Sequence, residues 1–286
     1  MLWSGTDALP GVASVLDKLR SRKKHIMFVT NNASKSRRVL LDRFQQLGIH
    51  AELSEVISSA SATALYLKEV LKLPEDRKAY VVGMPGIEEE LDGVGIKHLG
   101  GSDPKDHVHF EGTDFAPLLQ EGSLDPSVGA VVCGIDTKLT YLKLAKAFRY
   151  LTRPGAEGEP KAGEKDGGCY FLATNADVTF PSKAGPWPGA GACWSGLRDA
   201  TGRKPTVVGK PEQPMLDTIF AAAHFDRSRT LMVGDRLNTD IAFGAKGGVD
   251  TLLVLTGISS LDDVHAENAA AVPTYVMNGL GDLDAL

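Results

Sequence analysis

Short apolar runs alternate along the chain with stretches whose apolar positions recur every three or four residues. The runs mark strands, and the longer spacing marks the buried stripe of helices. Val12, Val15, Leu16 and Leu19, opened by Pro10-Gly11, predict a helix over 12–20. A strand is predicted over 25–29, a helix over about 34–47 closed by Gly48, a strand end at 56–59 and a helix over 60–71. After the break at Pro74-Glu75-Asp76-Arg77, strands are predicted at 80–82, 130–133, 170–173, 205–208, 230–233 and 251–255. Helices at 87–91, 142–151, 215–223 and 240–247 fall between them. Residues 154–168 (PGAEGEPKAGEKDGG) read as a mobile surface loop, and 181–191 as a loop rich in Pro and Gly.

Strands separated by helices nearly throughout imply an α/β fold on a mostly parallel sheet. In such sheets ligands sit beyond the carboxyl ends of the strands. The candidates are therefore the polar residues that directly follow apolar runs. Phe28-Val29-Thr30-Asn31-Asn32 ends a strand in a hydroxyl and two amides; these suit a phosphate cradle or an ordinary helix cap. Val207-Val208-Gly209-Lys210-Pro211 sets a lysine just past a strand, either as a point charge for a phosphoryl oxygen or as a solvated surface group. Val233-Gly234-Asp235-Arg236-Leu237-Asn238-Thr239-Asp240 places one carboxylate after a strand and another five residues on. Hard oxygen ligands there suit Mg²⁺, while Asp240 also suits a helix cap. Asn175 and Asp177 follow the strand at 170–173, as substrate contacts or as turn residues. His107 and His109 would share one strand face, and Trp187 lies between two prolines.

Composition narrows the partners. The 286 residues carry a net charge of −5, with 43% hydrophobic and 23% charged residues. Without a broad basic field, a nucleic-acid partner is disfavoured, although a local site for a small anion is still allowed. No apolar run approaches the roughly 20 residues of a membrane span, and the first residues lack a basic and then apolar leader. A cytoplasmic protein is the expectation. Cys133, Cys169 and Cys193 match no zinc or redox spacing and are expected as reduced thiols.

Taken in order, the three candidate sites resemble the haloacid-dehalogenase phosphatases: FVTNN is similar to their second motif, VVGKP to the third and VGDRLNTDI to the fourth. LWSGTDALPG, FLATNADVTFP, PGAGACWSGLRDATGRKP and DTLLVLTG resemble the branch of 4-nitrophenylphosphatases and phosphoglycolate phosphatases, to which pyridoxal phosphatases also belong. The resemblance implies a Rossmann-like parallel-sheet core at about 1–77 and 202–286, with an inserted α/β cap at about 78–201. It implies Mg²⁺-dependent hydrolysis of small phosphate monoesters through an aspartyl-phosphate. Thr30, Lys210 and Asp235 would be catalytic. Thr30, Asn31, Asn32 and Lys210, with Asn175 and Asp177, would face phosphate and substrate. Asp235 would hold the metal, supported by Gly234, Asn238 and Asp240. Homodimerisation through the cap is a further implication. A second reading is a phospho-ligand-binding or regulatory paralogue without catalysis.

One motif departs from the pattern. The family's first motif is a strand ending in Asp-x-Asp-Gly, directly before the segment matching Leu2-Trp3. This sequence runs Met1-Leu2-Trp3 and contains neither aspartate there. The expectation is a truncated gene model whose core sheet lacks its first, central strand and with it the nucleophile.

Overall fold

The computed structural model describes residues 2–4, 7–108, 124–163, 167–182, 184–223 and 225–285. A short antiparallel ribbon, β1 (Trp3–Ser4) and β2 (Asp7–Ala8), leads into α1 (Val12–Ser21). Next come β3 (Phe28–Thr30), α2 (Arg37–Gln46), β4 (Val56–Ser58) and α3 (Ser59–Leu65), the last prolonged by a π turn over Tyr66–Val70. The chain continues through β5 (Lys78–Val82), α4 (Pro85–Gly93), β6 (His98–Gly100), β7 (Val128–Cys133), α5 (Tyr141–Thr152) and β8 (Tyr170–Ala173). A hairpin of β9 (Thr179–Ser182) and β10 (Gly185–Pro188) precedes α6 (Ala190–Thr201), β11 (Thr206–Val207) and α7 (Gln213–Ala223). After β12 (Leu231–Gly234), a π turn over Leu237–Ile241 runs into α8 (Ala242–Lys246). Then follow β13 (Asp250–Val254), α9 (Leu261–His265) and β14 (Tyr275–Met277).

Two compact units divide these elements. One joins Asn31–Ser36 to Ser58–Gly209. It holds a five-stranded sheet in the order β11-β8-β7-β5-β6, with parallel pairing at each ladder. Successive side chains of a strand point to opposite faces, and both faces here are buried. Tyr80, Val82, Val131, Cys133 and Phe171 pack on one side with Leu151, Trp194 and Leu197. Ala79, Val81, Ala130, Val132 and Leu172 pack on the other with Ala60, Leu67, Ile87 and Leu91. Burial on both faces explains why β5 and β7 read as continuous apolar runs rather than as alternating ones. The small residues of α3 share the second of these cores. Through these contacts α3 belongs to this unit, and β11 belongs to it through its pairing with β8.

The other unit comprises Met1–Thr30, Arg37–Ile57 and Lys210–Leu286. Beside the β1-β2 ribbon, its strands lie in separate small sheets: β3 with β4, and a parallel β12-β13-β14. Among the described residues no ladder joins these two sheets. Leu2, Val12, Val15, Leu16, Phe28, Phe44 and Val56 form its main core, with Val233 packed against it.

Several expectations change. Residues 181–191 are not a loop, because the hairpin pairs Trp187 with Phe180 and α6 starts at Ala190. The helix expected at 240–247 begins as a π turn at Leu237. His107 follows a 3-10 turn (Pro104–Asp106) rather than lying on a strand, and His109 lies outside the described residues. The loop at 154–168 is partly pinned: Ala156 is buried, and Gly163 N donates to Asp76 Oδ2 at 2.6 Å. Among the described residues no helix is long and apolar enough to cross a membrane.

Candidate active site

Lys210 is the centre of the arrangement in the unit that contains it. Its side chain is 8% exposed. Its Nζ donates to the carbonyl of Val29 at 3.0 Å and to Asp240 Oδ1 at 2.6 Å. The ammonium is thus tied to the penultimate residue of β3, directly before Thr30, and to the turn that follows β12. The second oxygen of Asp240 accepts from the backbone N–H of Asp235 at 3.1 Å. Asp240, itself buried, therefore bridges the lysine and the residue expected to hold metal. A charge-assisted pair of this kind is short and directional; alone in a buried site, either group would carry a large desolvation cost.

Two glycines make room for the carboxylates. A Cβ at Gly234 would lie 2.0 Å from Asp240 Cβ, and one at Gly257 would lie 1.8 Å from Asp235 Oδ2. Asp235 is further fixed through its carbonyl, which accepts from Ser259 N at 3.0 Å. Ser259 Oγ in turn accepts from Leu237 N at 3.1 Å. Gly257 and Ser259 were not singled out in the sequence. They lie three and five residues past the end of β13, too far for the rule that picks polar residues directly after a strand.

The remaining expected residues fall as follows. Thr30 closes β3 and is half-buried. Asn32 Oδ1 accepts from Ser34 N and Oγ at 2.9 and 2.6 Å, turning its side chain back on its own loop. Asn31, Asn175 and Asp177 belong to the other unit and bond to one another. Asn175 Nδ2 donates to the Asn31 carbonyl at 2.8 Å, and Asn31 Nδ2 donates to Asp177 Oδ2 at 3.1 Å. Asn238 is exposed on its turn, unlike its buried neighbours Thr239 and Asp240.

Among the described residues no group of three His, Cys, Asp or Glu side chains forms a closed metal cage. Asp235 nevertheless fits as a Mg²⁺ ligand. It offers hard oxygens at the end of a strand, and Mg²⁺ needs only one or two carboxylates beside waters and phosphate oxygens. The three cysteines are free, with Cys133 and Cys169 buried. Burial pushes the Cys169 thiol up to about 11 and that of Cys133 higher still.

Comparison with known proteins gives the family. Residues 1–97 match the model of a haloacid dehalogenase-like hydrolase, and residues 207–283 match a second haloacid dehalogenase hydrolase-like model. The chain belongs to the haloacid dehalogenase-like hydrolases. Its relatives place it more narrowly, in the phosphatase branch. It is 43% identical to a 4-nitrophenylphosphatase of Schizosaccharomyces pombe, over 99% of this chain and 90% of that one. It is 39% identical to phosphoglycolate phosphatase 2 of Arabidopsis thaliana, over 99% and 89%. The solved p-nitrophenyl phosphatase of Archaeoglobus fulgidus superposes with a TM-score of 0.78 at 28% identity, covering 98% of this chain and 93% of that one. A 4-nitrophenylphosphatase from Thermotoga maritima gives a TM-score of 0.78 at 27% identity, over 100% and 93%.

Proposed function

We propose that this chain is the scaffold of a Mg²⁺-dependent phosphatase acting on small phosphate monoesters such as 4-nitrophenyl phosphate or 2-phosphoglycolate. The single observation that carries the reading is the Lys210–Asp240–Asp235 chain of contacts anchored on Val29, one residue before Thr30. It assembles a buried cation and a hard-oxygen ligand from three separate strand ends. Names of the relatives supply the substrate class. The core is proposed at about 1–77 and 202–286, and the inserted α/β cap at about 78–201. A cytoplasmic location and a dimer through the cap complete the proposal.

In the reaction, negative charge spreads over the oxygens of the transferring phosphoryl group. Lys210 neutralises part of that charge from a fixed position, so little reorganisation is needed as the bond breaks. Thr30 Oγ1 and the backbone of Asn31 and Asn32 orient the phosphoryl oxygens. Mg²⁺, held through Asp235, supplies further charge stabilisation when bound. The aspartate nucleophile and its acid-base partner would come from an Asp-x-Asp-Gly strand, the first motif of the family.

The test is hydrolysis of 4-nitrophenyl phosphate by the chain with and without an upstream strand ending in Asp-x-Asp-Gly. Turnover is expected with that strand present, dependent on Mg²⁺ and abolished by chelator. Lys210→Ala and Asp235→Ala should each lower kcat/KM by at least about a hundredfold, the scale of losing one fixed charge in a transition-state site. Undiminished turnover in both variants would sink the assignment. Orthophosphate binding without turnover, even with the strand restored, would favour the non-catalytic reading.

A further inference from the structure

The hydrogen bonds around Asn31 converge on one peptide. Its carbonyl accepts from Ser59 Oγ at 2.7 Å and from Asn175 Nδ2 at 2.8 Å. Its side chain is held separately, by Asp177 Oδ2 at 3.1 Å. Asn175 is anchored in turn. Its Oδ1 accepts from Asp177 N at 3.1 Å, and its carbonyl accepts from the buried Trp194 Nε1 at 3.1 Å. The fit is tight on a further side, because a Cβ at Gly209 would lie 2.5 Å from Thr174 O and 2.7 Å from Asn31 Oδ1. All these residues belong to one compact unit.

The geometry has a directional consequence. The peptide between Asn31 and Asn32 is trans, as non-proline peptide bonds are. In a trans peptide the C=O and the following N–H point opposite ways. With the carbonyl gripped by Ser59 and Asn175, the N–H of Asn32 is directed to the other side. We infer that Asn175 and Asp177 are positioning residues: they fix the orientation of the Asn31–Asn32 peptide and do not themselves contact substrate. The inference rests on the phosphate-binding role proposed for this segment.

Physical chemistry favours that division of labour. A backbone N–H stabilises a phosphoryl oxygen well only if it is already aimed. Residues 31–36 form no helix or strand of their own, so their aim has to come from elsewhere. Asn175 and Asp177 stand just past β8, an interior strand of the five-stranded sheet buried on both faces. That is a rigid base from which to hold a loop. A carboxylate would also repel a dianionic phosphate, whereas Asp177 has an amide donor to accept from.

The experiment uses the full chain with Mg²⁺ and takes inorganic orthophosphate as the probe. It is paired with amide hydrogen exchange over residues 31–36 in the free protein. Asn175→Ala and Asp177→Ala should speed exchange there and raise the orthophosphate Kd by about tenfold, the scale of one lost hydrogen bond. Asp177→Asn keeps an oxygen that accepts from Asn31 and should rescue both readouts. Unchanged exchange in both alanine variants would overturn the inference. So would a lowered melting temperature with exchange and Kd unaltered, which marks a purely structural role. A third contrary result is a change in affinity for phosphate monoesters alone, equal in Asp177→Asn and Asp177→Ala, as expected of a direct substrate contact. Absence of orthophosphate binding in the wild type defeats the phosphatase reading instead, and the exchange data then still decide whether Asn175 and Asp177 hold the loop.

Discussion

At the level of single residues, the positions most sensitive to change are those where two groups already touch. Gly257 is one, since a methyl there would overlap Asp235 Oδ2 at 1.8 Å. Gly257→Ala should therefore displace the carboxylate and weaken Mg²⁺ affinity, with little loss of secondary structure. A Mg²⁺ titration alongside circular dichroism checks this, and unchanged Mg²⁺ dependence would count against Asp235 as the ligand. Arg20 and Glu55 form another such contact, a two-pronged pair with both bonds at 2.6 Å. Burial by itself would raise the Glu55 carboxyl, but the bonds from Arg20 and from the Glu52 backbone N–H together hold the group below its usual range. A depressed carboxyl binds fewer protons in the folded state. Its stabilisation is present above the unfolded pKa of about 4.3 and is lost as pH falls through the folded value. Glu55→Gln should cost about 1–2 kcal/mol at pH 7. Urea melts of the variant and the wild type should converge as pH falls below the usual carboxylate range; a constant gap on acidification would show that the carboxylate charge is not involved.

At the level of elements, the sheet of five parallel strands encloses charge as well as apolar surface. Lys143 on α5 and Asp136 after β7 meet at 2.7 Å with side chains 0% and 2% exposed. Removing one partner strands the other, so Lys143→Ala should destabilise by about 3–5 kcal/mol. The double change Lys143→Met with Asp136→Leu should recover much of that, and a denaturant series on the three chains decides it. Elements buried on both faces were also the most legible ones. β5, β7 and β8 show as apolar runs, and α1 and α5 show their stripes. The missed elements are edge or surface pieces. β6 has a single apolar residue and ends in Gly100 at φ 81°. β14 exposes Tyr275 and Val276. The hairpin of β9 and β10 is rich in Pro and Gly, residues that usually mark loops. Site residues behaved likewise. Lys210, Asp235 and Asp240 stood out because polar groups directly after strands are visible in one dimension. The grip of Asn175 on Asn31 was not visible, because it joins residues 144 positions apart.

At the level of the whole molecule, the two units differ in how they are built. One is built on a five-stranded sheet with apolar packing on both faces, while the described strands of the other fall into two pairs and a trio. Lys210, Asp235 and Asp240 all belong to the less extensive framework. Local stability varies with buried contact density, and sparsely packed regions open first. Warming should consequently uncouple chemistry from bulk structure. Orthophosphate affinity should vanish several degrees before most of the far-ultraviolet signal melts, and a single coincident transition would contradict this. A sample that still looks folded after mild heating can therefore already be inert, so thermal shelf life for this protein is better judged by ligand retention than by spectroscopy.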